Sequence, residues 1–119
     1  MSEEYQSSLE LLETALSHQL YEKLVVQLAK DFSLANIPLD LPLTITPGEL
    51  KTLLHEKVYV LLLERFSEYL NLMYIIDVPE KAFSTIESSD IVTVSEQVSF
   101  LILRREWQKV WLKDKYGSR

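Results

Sequence analysis

The apolar residues of the first third of the chain recur at intervals of three and four. This spacing places side chains on one face of an α-helix, and neither Gly nor Pro interrupts it between Leu9 and about Ala35. We therefore predict one long first helix. Asn36 and Pro38 are expected to end it, because Asn tolerates the left-handed cap conformation and Pro disfavours helix at the residue before it. The predicted buried stripe consists of Leu9, Leu12, Leu16, Leu20, Leu24, Leu28 and Phe32.

From Ile37 to Ile45 the period changes to two. Apolar residues alternate with proline and polar residues, a pattern typical of an extended, half-buried segment. Pro38 and Pro42 fall on the same side and lack the N–H groups that sheet pairing requires. We expect a strap across the helices. The alternative is a short two-stranded ribbon with residues 91–94.

Residues 46–49 predict the start of a second long helix. Thr46 can cap it, Pro47 fits its first turn, and Glu49 can bond back to the Thr46 amide. We expect this helix to reach Tyr74 or a little beyond, with Phe66 on its buried stripe, and a break at residues 77–80 before a short helix to about residue 86. Unbroken, it would be about 43 Å long. Since a compact chain of this length has a radius of gyration of about 13–14 Å, either the molecule is elongated or this helix bends.

The last predicted helix opens at a second possible capping box, Thr93 with Glu96, and runs to about Tyr116, just before Gly117. Its apolar residues cover much of the circumference. A helix of this kind is either central to a bundle or shared with a partner.

The chain lacks the residues that several common chemistries require. The chain has no cysteine, which excludes disulfides, thiolate nucleophiles and cysteine-bound metals. Its two glycines, Gly48 and Gly117, cannot form a glycine-rich phosphate loop. His18 and His55 lack the Glu three residues earlier that a di-iron bundle needs. A metal held between the long helices by His18, Glu22, Glu64 and Glu68 remains an alternative. The leading prediction has no catalytic residue, no metal-binding residue and no cofactor, and it leaves any cofactor-binding residue unassigned.

Charge and hydropathy indicate where the protein is located and which kinds of partner it has. The net charge is −6 and the isoelectric point is near 4.9, so we do not expect nucleic acid as a partner. The longest apolar run, residues 58–63, is too short to span a membrane. The acidic start, residues 1–5, lacks the pattern of an export signal. We expect a cytoplasmic protein.

The charges are unevenly distributed. Residues 1–90 carry 6 basic and 15 acidic side chains, whereas residues 91–119 carry 6 basic and 3 acidic ones. Either the basic last helix lies against the acidic body or it contacts an acidic partner. Trp and Arg are enriched at protein interfaces, although aromatic residues at helical spacing also form cores. The predicted partner-binding residues are Arg105, Trp107, Lys109 and Trp111.

These observations predict one helical domain, residues 1–119, of the all-α class. We expect an elongated antiparallel bundle of three long or medium helices and one short helix, with a proline-containing strap between the first two. The expected function is a non-catalytic protein–protein interaction module, an adaptor, regulator or inhibitor, whose partner is another protein or, as a homodimer, itself. The alternative is a small-ligand or metal-binding bundle, with or without enzymatic activity, that uses a pocket between the long helices involving His18 or His55. A third reading is an acidic mimic of nucleic acid.

Overall fold

Helices form almost all of the regular structure. The computed structural model describes residue 5 and residues 7–117, and within them it contains no strand. The all-α prediction is therefore confirmed, whereas the predicted number of helices is wrong. The acidic start used in the export argument lies, except for Tyr5, outside the described residues. The elements are α1 (Ser8–Ser17), α2 (Tyr21–Leu34), α3 (Pro47–Glu64), α4 (Phe66–Ile76), a 3-10 helix (Glu80–Thr85), α5 (Ile91–Leu112) and a π-helical turn (Lys113–Gly117).

The predicted first helix is two helices, α1 and α2. Gln19 takes the left-handed conformation, with φ 62°, and the Leu20 amide then bonds to the Ala15 carbonyl at 2.9 Å. This hydrogen-bonded reversal ends α1 and changes the direction of the chain. As a consequence the predicted stripe is wrong at Leu9 and Leu16, which are 36% and 52% exposed. Asn36, in contrast, adopts the predicted left-handed cap, with φ 60°.

The predicted second helix also breaks, at Arg65. The backbone there has φ −140° and ψ 58° and separates α3 from α4. The molecule measures 41 × 29 × 25 Å with a radius of gyration of 13.6 Å, so a compact globule is reached by interrupting the helix. Phe66 lies beyond the break and is 53% exposed, which contradicts its predicted place on the buried stripe. The compact shape contradicts the predicted elongated one, whereas the antiparallel bundle arrangement stays a prediction.

The strap between α2 and α3 forms neither helix nor strand along the described chain, and it includes a turn at residues 43–44, where the Ile45 amide donates to the Pro42 carbonyl at 3.0 Å. Ile37 and Ile45, at its ends, are buried, whereas Leu43 is exposed. The Tyr21 hydroxyl donates a 2.7 Å hydrogen bond to the Ile45 carbonyl, and burial, together with the nearby charge of Glu49, raises the pKa of Tyr21 to about 12. The ribbon alternative is wrong, because residues 91–94 form the first turn of α5.

The helix starts confirm one predicted cap and correct the other. The Glu49 amide donates to Thr46 Oγ1 at 3.2 Å, and the Thr46 amide donates to Glu49 Oε1 at 3.0 Å, which confirms the capping box. The box predicted at Thr93 is wrong. Asp90 caps α5 instead, accepting from the Thr93 hydroxyl at 2.8 Å and the Thr93 amide at 3.2 Å, and these bonds lower the pKa of Asp90.

Helix α5 lies at the centre of the fold. It packs against α1, α2, α3 and α4, which explains why apolar residues cover so much of its circumference. The break predicted at residues 77–80, between the second long helix and the short helix, is confirmed. Asp77 takes a left-handed conformation, with φ 69°, after α4, and the 3-10 helix follows Pro79. The buried apolar residues of α5 are Val98, Leu101, Ile102, Leu103, Trp107 and Val110.

Candidate interaction surfaces

Trp107, the aromatic centre of the predicted partner site, lies in the core. Its side chain is 1% exposed, and its indole Nε1 donates a 2.9 Å hydrogen bond to the Tyr5 hydroxyl. The His18 ring lies 6.0 Å from the Trp107 ring, centroid to centroid. A partner cannot contact the Trp107 ring while these neighbours remain in place.

Arg105 and Lys109 form ion pairs within the chain. Arg105 donates from Nε to the Asp77 carbonyl at 2.9 Å and from Nη2 to Asp77 Oδ2 at 3.2 Å. Lys109 Nζ lies 2.8 Å from Asp31 Oδ2. For these two residues the structure confirms that the basic helix lies against the acidic body. Arg105 also places its charge at the carboxyl end of α4, where a helix dipole favours a cation.

Trp111, the fourth predicted residue, is half-buried near the end of α5. The Lys115 ammonium lies 5.2 Å from the centroid of its ring, within the distance of a cation–π contact. The four predicted residues therefore share one helix but do not form one open surface. Trp107 points inward, Arg105 and Lys109 are paired, and Trp111 is partly covered.

Glu106 is a buried carboxyl group that the sequence analysis overlooked. It is 0% exposed, and neither of its oxygens has a hydrogen-bond donor among the described residues. Lys109 Nζ is 3.7 Å from Oε1, too far for a good hydrogen bond, and it bonds to Asp31 instead. Burial, with the neighbouring Asp31, raises the pKa of Glu106 to about 9. As a neutral acid Glu106 can donate its proton to Asp31, an arrangement two carboxylates cannot make.

The outward face of α4 is apolar and uncharged. Phe66, Leu70 and Tyr74 follow one another at intervals of four and are 53%, 53% and 83% exposed. Ser67 and Asn71, the other exposed residues within α4, are polar but neutral. Leu63, 55% exposed, lies at the end of α3, before the break at Arg65. We call Leu63, Phe66, Leu70 and Tyr74 the α4 patch.

A groove of about 460 Å³ lies between α2, the strap and the end of α5. Val26, Leu43 and Val110 supply its apolar lining. Lysines stand among the same residues, and two of them are engaged: Lys23 Nζ lies 3.5 Å from Asp114 Oδ1, and Lys113 Nζ lies 3.5 Å from Gln27 Oε1. We call this cavity the α2 groove. Its volume is in the range of small-molecule sites.

The two histidines lie away from this groove. His18 is exposed, and His55 Nε2 is 2.8 Å from Ser95 Oγ and 3.1 Å from the Val92 carbonyl oxygen. Neither lines the α2 groove. In the part of the chain that the structure describes, no three His, Asp or Glu side chains group as a metal site. Nor is any helix there long and apolar enough to cross a membrane.

Sequence reasoning missed both the α4 patch and Glu106. The patch was hidden because α4 has apolar residues on both faces, so periodicity alone does not show which face turns outward. In the sequence Glu106 resembles an ordinary surface glutamate, because Lys109 lies three residues later on the same helix and can pair with it. Comparison with protein-family models, with curated proteins and with solved structures found no match to this chain. Its function is therefore inferred from its own residues.

Proposed function

We propose that the chain is a non-catalytic protein–protein interaction module, an adaptor, regulator or inhibitor, that docks through the α4 patch. The observation that carries this proposal is the alignment of Phe66, Leu70 and Tyr74 on one outward face without a charged residue among them. The cytoplasmic location and the absence of a cofactor, expected from composition, belong to the same proposal.

The residue types of the patch support this assignment. Aromatic residues are enriched and charged residues depleted at the centres of protein interfaces. With roughly 200 Å² for a fully exposed aromatic side chain, Phe66 and Tyr74 together present about 270 Å² of surface. An apolar patch of a few hundred Å² on a small protein commonly marks a binding site. The patch is therefore a more accessible surface than the predicted residues of α5.

Arg105 supports the patch without belonging to it. Its guanidinium bonds to both the backbone and the side chain of Asp77, the residue that ends α4. This fixes the carboxyl end of α4 against the central helix. The predicted role of Arg105 as a direct contact is thus replaced in our proposal by a positioning role.

Replacing Leu70 with Glu is expected to abolish docking, because it places a charge at the centre of an apolar contact. The matched control is Val26→Glu, since Val26 has the same 53% exposure but lies in the α2 groove. Tagged wild type, Leu70→Glu and Val26→Glu proteins are used to capture partners from the cells that make the chain, with circular dichroism to verify folding. We expect a partner bound by wild type and Val26→Glu but lost by Leu70→Glu. Identical capture by all three proteins would disprove the proposal.

The α2 groove supports a second candidate function, the binding of a small amphipathic anion. Its apolar lining suits a hydrocarbon or aromatic body. The three lysines of the lining outnumber its two carboxylates, Glu22 and Asp114, which leaves Lys30 as a cation for an acidic group. Unlike the ligand site predicted from sequence, it involves neither histidine.

The fluorescent anion 8-anilinonaphthalene-1-sulfonate provides a test of this second function. We expect saturable one-to-one binding that weakens about tenfold in Val26→Asp, because the substitution adds repulsion worth about 1.4 kcal/mol. Leu70→Glu should leave the affinity unchanged. Equal weakening by both variants, or no saturable binding, would count against the groove as a ligand site.

A further inference from the structure

We infer that the α4 patch is occupied by a second copy of this chain, with the two α4 helices antiparallel about a two-fold axis at Leu70. This inference rests on the proposed function and names the partner. It follows from the spacing, the charge and the area of the patch.

The spacing of the patch is symmetric about Leu70. Phe66 precedes it by four residues and Tyr74 follows it by four. In a two-fold interface residue i meets residue j of the other copy and j meets i. An axis at Leu70 therefore places each Phe66 opposite the Tyr74 of the other copy, with Leu70 against itself. Aromatic pairs of this kind stabilise an interface beyond the area they bury.

The charges near the patch also suit a second copy. Each chain carries a net charge of −6, so two copies repel one another, and this repulsion is smallest when the contact surface itself carries no charge. The exposed residues of α4 provide such a surface. The carboxylate of α4, Glu68, is paired with Arg65 at 3.2 Å. A symmetric pairing brings no like charges within α4 directly opposite each other. At its two ends it brings Glu64 near Asp77 of the other copy, and Arg105 partly neutralises that Asp77 through a 3.2 Å ion pair.

The area of the patch predicts a weak dimer. The two aromatic side chains present about 270 Å², and Leu63, Leu70 and the neighbouring polar residues raise this to roughly 500 Å² per copy. The pair would bury about 1,000 Å² in total, the lower limit for a specific interface. We therefore expect a dissociation constant in the micromolar range.

The absence of cysteine from the chain allows a direct test of this geometry. Leu70→Cys introduces a single thiol on the axis, where it meets its own copy and can form a disulfide under mild oxidation. We expect Leu70→Cys to cross-link at least tenfold faster than Val26→Cys, the control of equal exposure. In a mixture of Phe66→Cys and Tyr74→Cys, distinguished by mass, the mixed dimer should exceed both symmetric ones. Cross-linking of Leu70→Cys no faster than the control would overturn the inference.

Sedimentation equilibrium of the full chain provides the second test. Wild type should change from monomer to dimer between low and high micromolar concentration, and Leu70→Glu should weaken this association at least tenfold. A wild type that stays monomeric, or a dimer unaffected by Leu70→Glu, would overturn the self-association. If Leu70→Glu nevertheless prevents capture of a different protein, the proposed function survives and only the identity of the partner is wrong.

Discussion

Replacing Trp107 with Ala is expected to lower the free energy of unfolding by about 3–5 kcal/mol. Trp107 is 1% exposed at the centre of the core and touches the N-terminal segment through Tyr5. The substitution removes the largest buried side chain, leaves a cavity, and deprives the Tyr5 hydroxyl of its donor. Since whole domains are stable by only about 5–15 kcal/mol, this is a large fraction of the total. Urea unfolding, monitored by circular dichroism, measures this loss of unfolding free energy.

Trp111→Ala is the matched control for this prediction. Trp111 lies one turn further along α5 but is only half-buried, so its loss should cost distinctly less than that of Trp107. Similar effects of the two substitutions would show that the core does not centre on Trp107. The prediction also limits the use of Trp107→Ala as a probe of partner binding, because a loss of binding would follow from unfolding alone.

The sequence predicted those elements whose signals are local. The Thr46–Glu49 capping box and the Asn36 cap depend on a few neighbouring residues, and both are present. The helical class follows from periodicity over long windows. These predictions needed no knowledge of which elements pack together.

The helix breaks could not be predicted in the same way. Gln19 and Arg65 carry the two interruptions, yet neither is Gly or Pro, the residues that usually signal one. A left-handed Gln costs on the order of 1 kcal/mol, which tertiary packing must offset. The gain comes from placing both halves of each predicted helix against α5, and a sequence pattern does not show that contact.

The candidate site could not be predicted for the same reason, because a sequence pattern does not show which residues the packing leaves exposed. The residue types of α5 fitted either a core or an interface, and only the packing around Trp107 shows that this residue is core. The packing of α4 against α2 and α5 determines which of its faces turns outward, so the α4 patch became visible only with the fold. Burial of Glu106, likewise, depends on the packing of α5 against α2 rather than on its neighbours in sequence.

Replacing Glu106 with Gln is expected to raise the free energy of unfolding by about 3 kcal/mol at pH 7. Burial, with Asp31 beside it, raises the pKa of the folded-state carboxyl from 4.5 to about 9. Between these values the unfolded chain releases the proton while the folded chain keeps it, so the stability of the wild type falls as pH rises. Gln is close in shape, carries no proton to lose, and can donate to Asp31 through its amide. The Lys109–Asp31 ion pair remains.

The pH dependence separates this explanation from simple repacking. The stability difference between Glu106→Gln and wild type should widen by about 1.4 kcal/mol per pH unit from pH 5 to pH 8, as measured by urea unfolding at each pH. Contributions from the other titrating groups largely cancel in this difference. Glu13→Gln, which changes an exposed glutamate of α1, should show no such widening. A difference that is constant with pH, or a Glu106→Gln protein less stable than wild type at pH 7, would mean that Glu106 is ionised in the fold and stabilised by Lys109.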